Sequence, residues 1–66
     1  MRINKLLAEI VEQRGIKQIY IAEKTGMSQD VISKILRSER KLSAEEFLLI
    51  CEALNINPDV FREKVA

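Results

Sequence analysis

The chain contains no histidine and no tryptophan, and in 66 residues it has one cysteine, one proline and two glycines. Without histidine, and with Cys51 alone, the ligand set of a zinc site is missing. The same lack leaves no plausible pair of nucleophile and base, and two isolated glycines build no phosphate-cradling loop, so no enzyme is expected. No cofactor is expected either. A lone cysteine closes no internal disulfide; Cys51 lies among apolar neighbours and reads as a small core residue rather than a reactive thiol. No apolar run approaches the roughly 20 residues of a membrane span. Glu9 and Glu12 interrupt any signal-peptide core behind Arg2 and Lys5. The expected location is therefore the cytoplasm, with no membrane partner.

What is present is enough apolar material for a globule. Hydrophobic residues make up 47% of the chain, which argues against disorder. Residues 1–66 read as one small domain with a thin core, a size at which oligomerisation adds useful stability. The net charge of +1 says little about partners, but its distribution says more. Residues 17–41 hold six Lys or Arg against three acids, whereas residues 42–66 hold two against five. The middle is thus basic and the far end acidic. Such a polarity steers one face toward phosphate, or it is ordinary solvated surface.

Periodicity reads as helices throughout, with no strand signal and no repeat. Ile3, Leu6, Leu7, Ile10 and Val11 recur at helical spacing and predict an amphipathic first helix ending at Gly15. Residues 18–37 read as two short helices around a tight turn. Ala22 supplies a small side chain at the corner, and Gly26 is free to adopt the left-handed conformation that ends the first of the pair. Met27 tucks under the turn, and Ser28 is a good N-cap for the next helix. Ile32, Ile35 and Leu36 give that helix one apolar face, and Gln29, Asp30, Ser33, Lys34 and Arg37 give it a polar one. Residues 37–42 form a polar connector. Ser43 and Glu46 have the spacing of a capping box for a fourth helix, with Phe47, Leu48, Ile50, Cys51 and Leu54 as its buried stripe and Asn55 at its end. Asn57 and Pro58 read as N-cap and first residue of a fifth helix, with Asp59 favourable near its positive end and Phe61 and Val65 facing inward.

The helix pair resembles the helix-turn-helix of the phage Cro and repressor family, the XRE family. The residues that carry the likeness are Gln18, Ile21, Ala22, Gly26, Met27, Ile32 and Ile35. The flanks add to it, with Arg14–Gln18 resembling the family's lead into its second helix and Ala53–Asp59 its lead into the last. Two departures are Thr25, where the family usually has Val or Leu and which is expected to weaken the core slightly, and Ser38, where it often has Gly. The resemblance implies an all-α, five-helix domain like that of lambda repressor, with the helix-turn-helix at helices 2 and 3. It also implies a partner, double-stranded DNA, read through the major groove.

Roles then follow from position. Gln29, Asp30, Ser33 and Lys34 are the candidate base readers. Gln29 pairs with adenine, or holds a neighbouring Gln or a phosphate; Lys34 meets guanine or a phosphate. Asp30 accepts from a cytosine amino group or caps the helix N-terminus. Gln18, Lys17, Tyr20, Ser28, Arg37, Arg40 and Lys41 are the candidate phosphate contacts, and the resemblance implies such roles for Gln18 and for the connector. Ile19 and Tyr20 stand where the family usually has polar residues; they serve as inert packing and a phosphate contact, or as a small patch for another protein. Relatives pair through the start of the last helix, which suggests a homodimer through Pro58, Val60 and Leu49 on half-sites roughly 34 Å apart. The expected function is a sequence-specific regulator, a repressor acting by occupancy with no small-molecule effector. The rival reading is an interaction module on the same fold, such as an antitoxin or antirepressor partner.

Overall fold

The computed structural model describes residues 2–65, with side chains for residues 2–63. Its order is α1 (Arg2–Arg14), α2 (Gln18–Thr25), α3 (Gln29–Leu36), α4 (Ala44–Leu54) and α5 (Val60–Val65), with no strand among the described residues. The chain is all-α, as its periodicity predicts. Helix α3 packs on both α1 and α2, α4 packs on α2, and α5 packs on α1. One core therefore sits between the helix pair α2–α3 and the flanking elements. Leu7, Val11, Ile21, Ile32, Ile35, Ile50, Cys51, Leu54, Ile56 and Phe61 fill it. Phe61 meets Phe47 edge to face, with ring centroids 5.2 Å apart.

The apolar stripe of α1 is narrower than its five candidates. Leu7 and Val11 are buried, while Ile3, Leu6 and Ile10 pack half-buried against the core. The centre line of the helix is completed by Asn4, which is 1% exposed. In α4, Phe47, Ile50, Cys51 and Leu54 face inward, but Leu48 does not: it is 55% exposed. An α-helix advances about 100° per residue, so a face centred between Phe47 and Cys51 leaves Leu48 on the flank. The last helix also begins later than expected. Residues 58 and 59 form turns closed by Val60 N–H to Asn57 O and Phe61 N–H to Pro58 O, and the Asn57 Oδ1 accepts from Asp59 N–H at 3.0 Å. Asn57 thus closes a local turn, and the helix proper starts at Val60. The expected inward orientation of Val65 lies outside the described side chains.

Among the described residues, four adopt left-handed backbone, and each follows a helix: Gly15, Gly26, Ser38 and Asn55. After α1, α3 and α4 the backbone closes with paired bonds that satisfy two otherwise orphaned carbonyls. At α3 these are Ser38 N–H to Ile35 O at 3.1 Å and Glu39 N–H to Lys34 O at 2.9 Å. Gly26 closes α2 with one bond to Ala22 O at 2.9 Å. Thr25 reinforces that end, its hydroxyl donating to Ile21 O at 2.8 Å and accepting from Met27 N–H. The half-buried Thr25 therefore fastens the turn through its hydroxyl.

Ser38, at φ 60°, occupies a conformation that glycine adopts without steric cost. For an L side chain this region costs roughly 1–2 kcal/mol, offset by the roughly 0.5–1 kcal/mol of chain entropy that glycine loses. Ser38→Gly is accordingly expected to stabilise the fold by about 0.5–1 kcal/mol. A urea unfolding midpoint that stays put or falls contradicts this account of the turn.

Candidate nucleic-acid interface

The candidate interface is built on α3, whose two sides differ sharply. Ile32 and Ile35 are buried, Val31 and Leu36 pack half-buried against the core, and Gln29, Asp30 and Lys34 are exposed. Ser33 is half-buried on the flank of the polar side. The helix opens at Ser28, whose backbone is extended and whose Oγ accepts from Val31 N–H at 3.2 Å. Gln29 and Asp30 therefore stand in the first turn, next to unpaired N–H groups. Asp30, open between a base contact and a helix cap, stands in the first turn with its carboxylate 3.2 Å from Lys34 Nζ, one turn on. The two groups are 72% and 48% exposed, so solvent screens the pair and a competing phosphate or base displaces it at little cost.

A second candidate position lies at the start of α2. Lys17 is its N-cap by backbone conformation and makes no side-chain capping bond. With Gln18 half-buried and Lys17 exposed, the first N–H groups of α2 remain available to an anion. Tyr20 and Ile19 are exposed on α2. The Lys24 ammonium stacks 5.7 Å from the Tyr20 ring centroid. With Ile16 and Ala53, the Ile19 and Tyr20 side chains line an open cleft of about 530 Å³ that runs from α2 to the end of α4. Leu49 lies further along the same side, beside Tyr20 and Lys24.

The connector after α3 is more tightly held than its polarity suggests. Arg37 pairs with Glu39 through two contacts, of 3.1 and 3.2 Å. Arg40 donates to Glu46 Oε2 at 2.8 Å, while Glu46 Oε1 accepts from Ser43 N–H and Ser43 Oγ accepts from Glu46 N–H, completing the expected capping box. Lys41 is exposed and makes no ion pair among the described residues. Three of the cations expected to face DNA (Lys34, Arg37 and Arg40) therefore carry a carboxylate of their own chain. The periodicity of the sequence held no signal for the Arg40–Glu46 pair, which joins the connector to α4.

The expected pairing residues sit on two elements. Leu49, on α4, is 37% exposed, and Val60, at the start of α5, is 45% exposed; Pro58 before it is half-buried. Cys51 is buried, and burial pushes its thiol up from the ordinary value of 9.0, consistent with an inert core residue.

Two residues escaped the sequence reading. Arg14 Nη1 donates to Leu54 O at 2.8 Å and caps the end of α4. Asn4 Nδ2 donates to Ile35 O at 2.9 Å and to Arg40 O at 3.0 Å. The available signal was an amide at position 4, three residues before Leu7 and seven before Val11, on the innermost line of α1.

Two short helices meeting at a left-handed glycine, the second with a serine cap, a buried isoleucine face and an exposed polar face, define a helix-turn-helix. A family model described as Helix-turn-helix matches residues 7–61. The chain belongs to this family, the Cro and XRE type of helix-turn-helix domain, and is a DNA-binding regulator of that kind. The family is regulatory rather than enzymatic. No curated protein and no solved structure matches the chain significantly. No helix among the described residues is long and apolar enough to cross a membrane.

Because the Ser28 hydroxyl supplies the only side-chain cap described for α3, Ser28→Ala is expected to cost about 1 kcal/mol of stability. Amide exchange in the first turn of α3 should accelerate with it. Unchanged protection at Val31 in that variant is the result that contradicts the cap.

Proposed function

We infer that this protein represses transcription by occupying a double-stranded DNA operator as a homodimer, with α3 in the major groove. The observation that carries the reading is the outward polar face of α3, flanked by an uncapped α2 N-terminus and a basic connector. On this reading Gln29, Asp30, Ser33 and Lys34 face base edges. Lys17, Gln18, Tyr20, Ser28, Arg37, Arg40 and Lys41 hold phosphates. The Arg40 guanidinium has five N–H donors, so its bond to Glu46 leaves others for a phosphate. Leu49, Pro58 and Val60 supply the pairing surface, supported by the exposure of Leu49 and Val60. The site of action is the cytoplasmic nucleoid, and no small molecule takes part in the switch.

Two substitution classes test the assignment. Gln29→Ala or Lys34→Ala should relax base preference at a cost of about 1–3 kcal/mol per lost contact. Lys41→Ala should weaken binding to all duplexes alike and reduce the salt slope by about 1. Gel-shift titrations at several salt concentrations, with fragments selected from a random DNA pool, read both. Equal behaviour of the two classes contradicts the division between base readers and phosphate contacts.

The dimer has its own test. Sedimentation at micromolar concentration should give twice the chain mass, and Val60→Glu should return it to one. A single-chain mass in the unsubstituted protein removes the pairing surface from the proposal. The second reading, an interaction module of the antitoxin or antirepressor-partner type, is favoured by one observation. Ile19 and Tyr20 are exposed beside the cleft between α2 and α4. It gains if binding shows no sequence dependence and no steep loss with salt.

A further inference from the structure

We propose that Asn4 is a positioning residue for DNA binding, which splints the connector 37–41 against the end of α3 so that its cations meet the phosphate backbone in a fixed geometry. The proposal rests on the DNA-binding reading of α3 and adds to it a residue remote from the polar face. Asn4 lies in the first turn of α1 and is 1% exposed. Burying an amide is unfavourable unless its polar atoms find partners. Here both Nδ2 hydrogens are used on carbonyls five residues apart, Ile35 O at 2.9 Å and Arg40 O at 3.0 Å.

Those two carbonyls bracket the reversal of the chain. Between them lie Ser38, in a left-handed conformation at φ 60°, and the bidentate Arg37–Glu39 pair. Ile35 O also accepts from Ser38 N–H, so the amide reaches the carbonyl where the helix closure is made. On the other side, the Arg40 side chain is fastened to Glu46 at the start of α4. Arg40 is therefore held by its backbone to α1 and by its guanidinium to α4. The intervening stretch carries Arg37 and leads directly to Lys41. A chain fixed in this way loses less freedom when its cations meet phosphate, which is the general advantage of preorganisation. A leucine at position 4 would serve the core equally well in size, but it would donate to neither carbonyl.

The test is Asn4→Leu, measured with a fluorescent duplex of mixed sequence across a salt series, with Lys41→Ala made in both backgrounds. Phosphate contacts are counted by the dependence of log K on log salt, about −0.9 per contact. A variant that is merely less stable loses apparent affinity by its folded fraction while its contact count stays the same. The slope thus remains readable even where folding is incomplete, and circular dichroism gives the folded fraction. The expected result is roughly a 10-fold or greater loss of affinity and a slope shallower by about 1 to 2. Lys41→Ala should then have a smaller effect in the Asn4→Leu background than in the parent, because the two act through one element. A parent slope retained in Asn4→Leu, with Lys41→Ala fully additive, overturns the proposal while leaving DNA binding intact. If the parent protein itself shows no salt-dependent binding, the underlying reading falls, and this role falls with it.

Discussion

Helix α3 exists only because Ile32 and Ile35 are buried. Eight residues are too few for a helix to persist alone in water, where about 12 to 15 are marginal even for good formers. The two isoleucines, at most 1% exposed, join Ile21 of α2 and Leu7 of α1 in the core. That burial fixes the rotation of α3 about its axis, because residues three apart share one face of a helix. Once Ile32 and Ile35 point inward, Gln29, Asp30 and Lys34 must point outward. The polar surface proposed to meet DNA is therefore a consequence of apolar packing on its reverse.

The helix ends set the angles at which that surface is displayed. Each of the first four helices stops at a left-handed residue, and three of these stops were visible as Gly15, Gly26 and Asn55. Glycine and asparagine tolerate the conformation, so their positions beside apolar runs carry the signal directly. Ser38 does not advertise itself in that way; only its departure from the family's usual glycine points to the turn. The caps at Ser28 and Ser43 were equally legible, since each rests on contacts within three residues. Leu48 and the start of α5 were misjudged for a different reason. Leu48 lies at the margin of a stripe, and the packing of neighbouring helices decides on which side of the margin it falls. Asn57 and Pro58 carry helix-start chemistry that the backbone uses for turns two and three residues earlier than the helix.

Charge shows the same division at longer range. The basic middle and acidic end of the chain are properties of order along the sequence. Folding brings Glu46 of the acidic part onto Arg40 of the basic part, and local geometry sets Asp30 on Lys34 and Glu39 on Arg37. The cations thus rest on carboxylates of their own chain. Exposed pairs of this kind are worth little in water, about 0–1 kcal/mol, so they leave the cations exchangeable. The Arg40–Glu46 pair is the more sheltered, and it also completes a capping box, which ties a candidate phosphate contact to the stability of α4.

By itself the sequence determined the first four helices, the caps at Ser28 and Ser43, three of the four stops, the buried face of α3 and the membership in the helix-turn-helix family, because each of these depends on residues a few positions apart. Tertiary structure decided what spans the chain, the amide of Asn4 on carbonyls 31 and 36 residues away and the guanidinium of Arg14 on Leu54, and it decided the shorter Arg40–Glu46 join between connector and α4. Such contacts leave no periodic trace, since a hydrogen bond needs only that two groups meet in space. Asn4 alone has a local sign, its place on the innermost line of α1, and its partners are known only when the chain has folded.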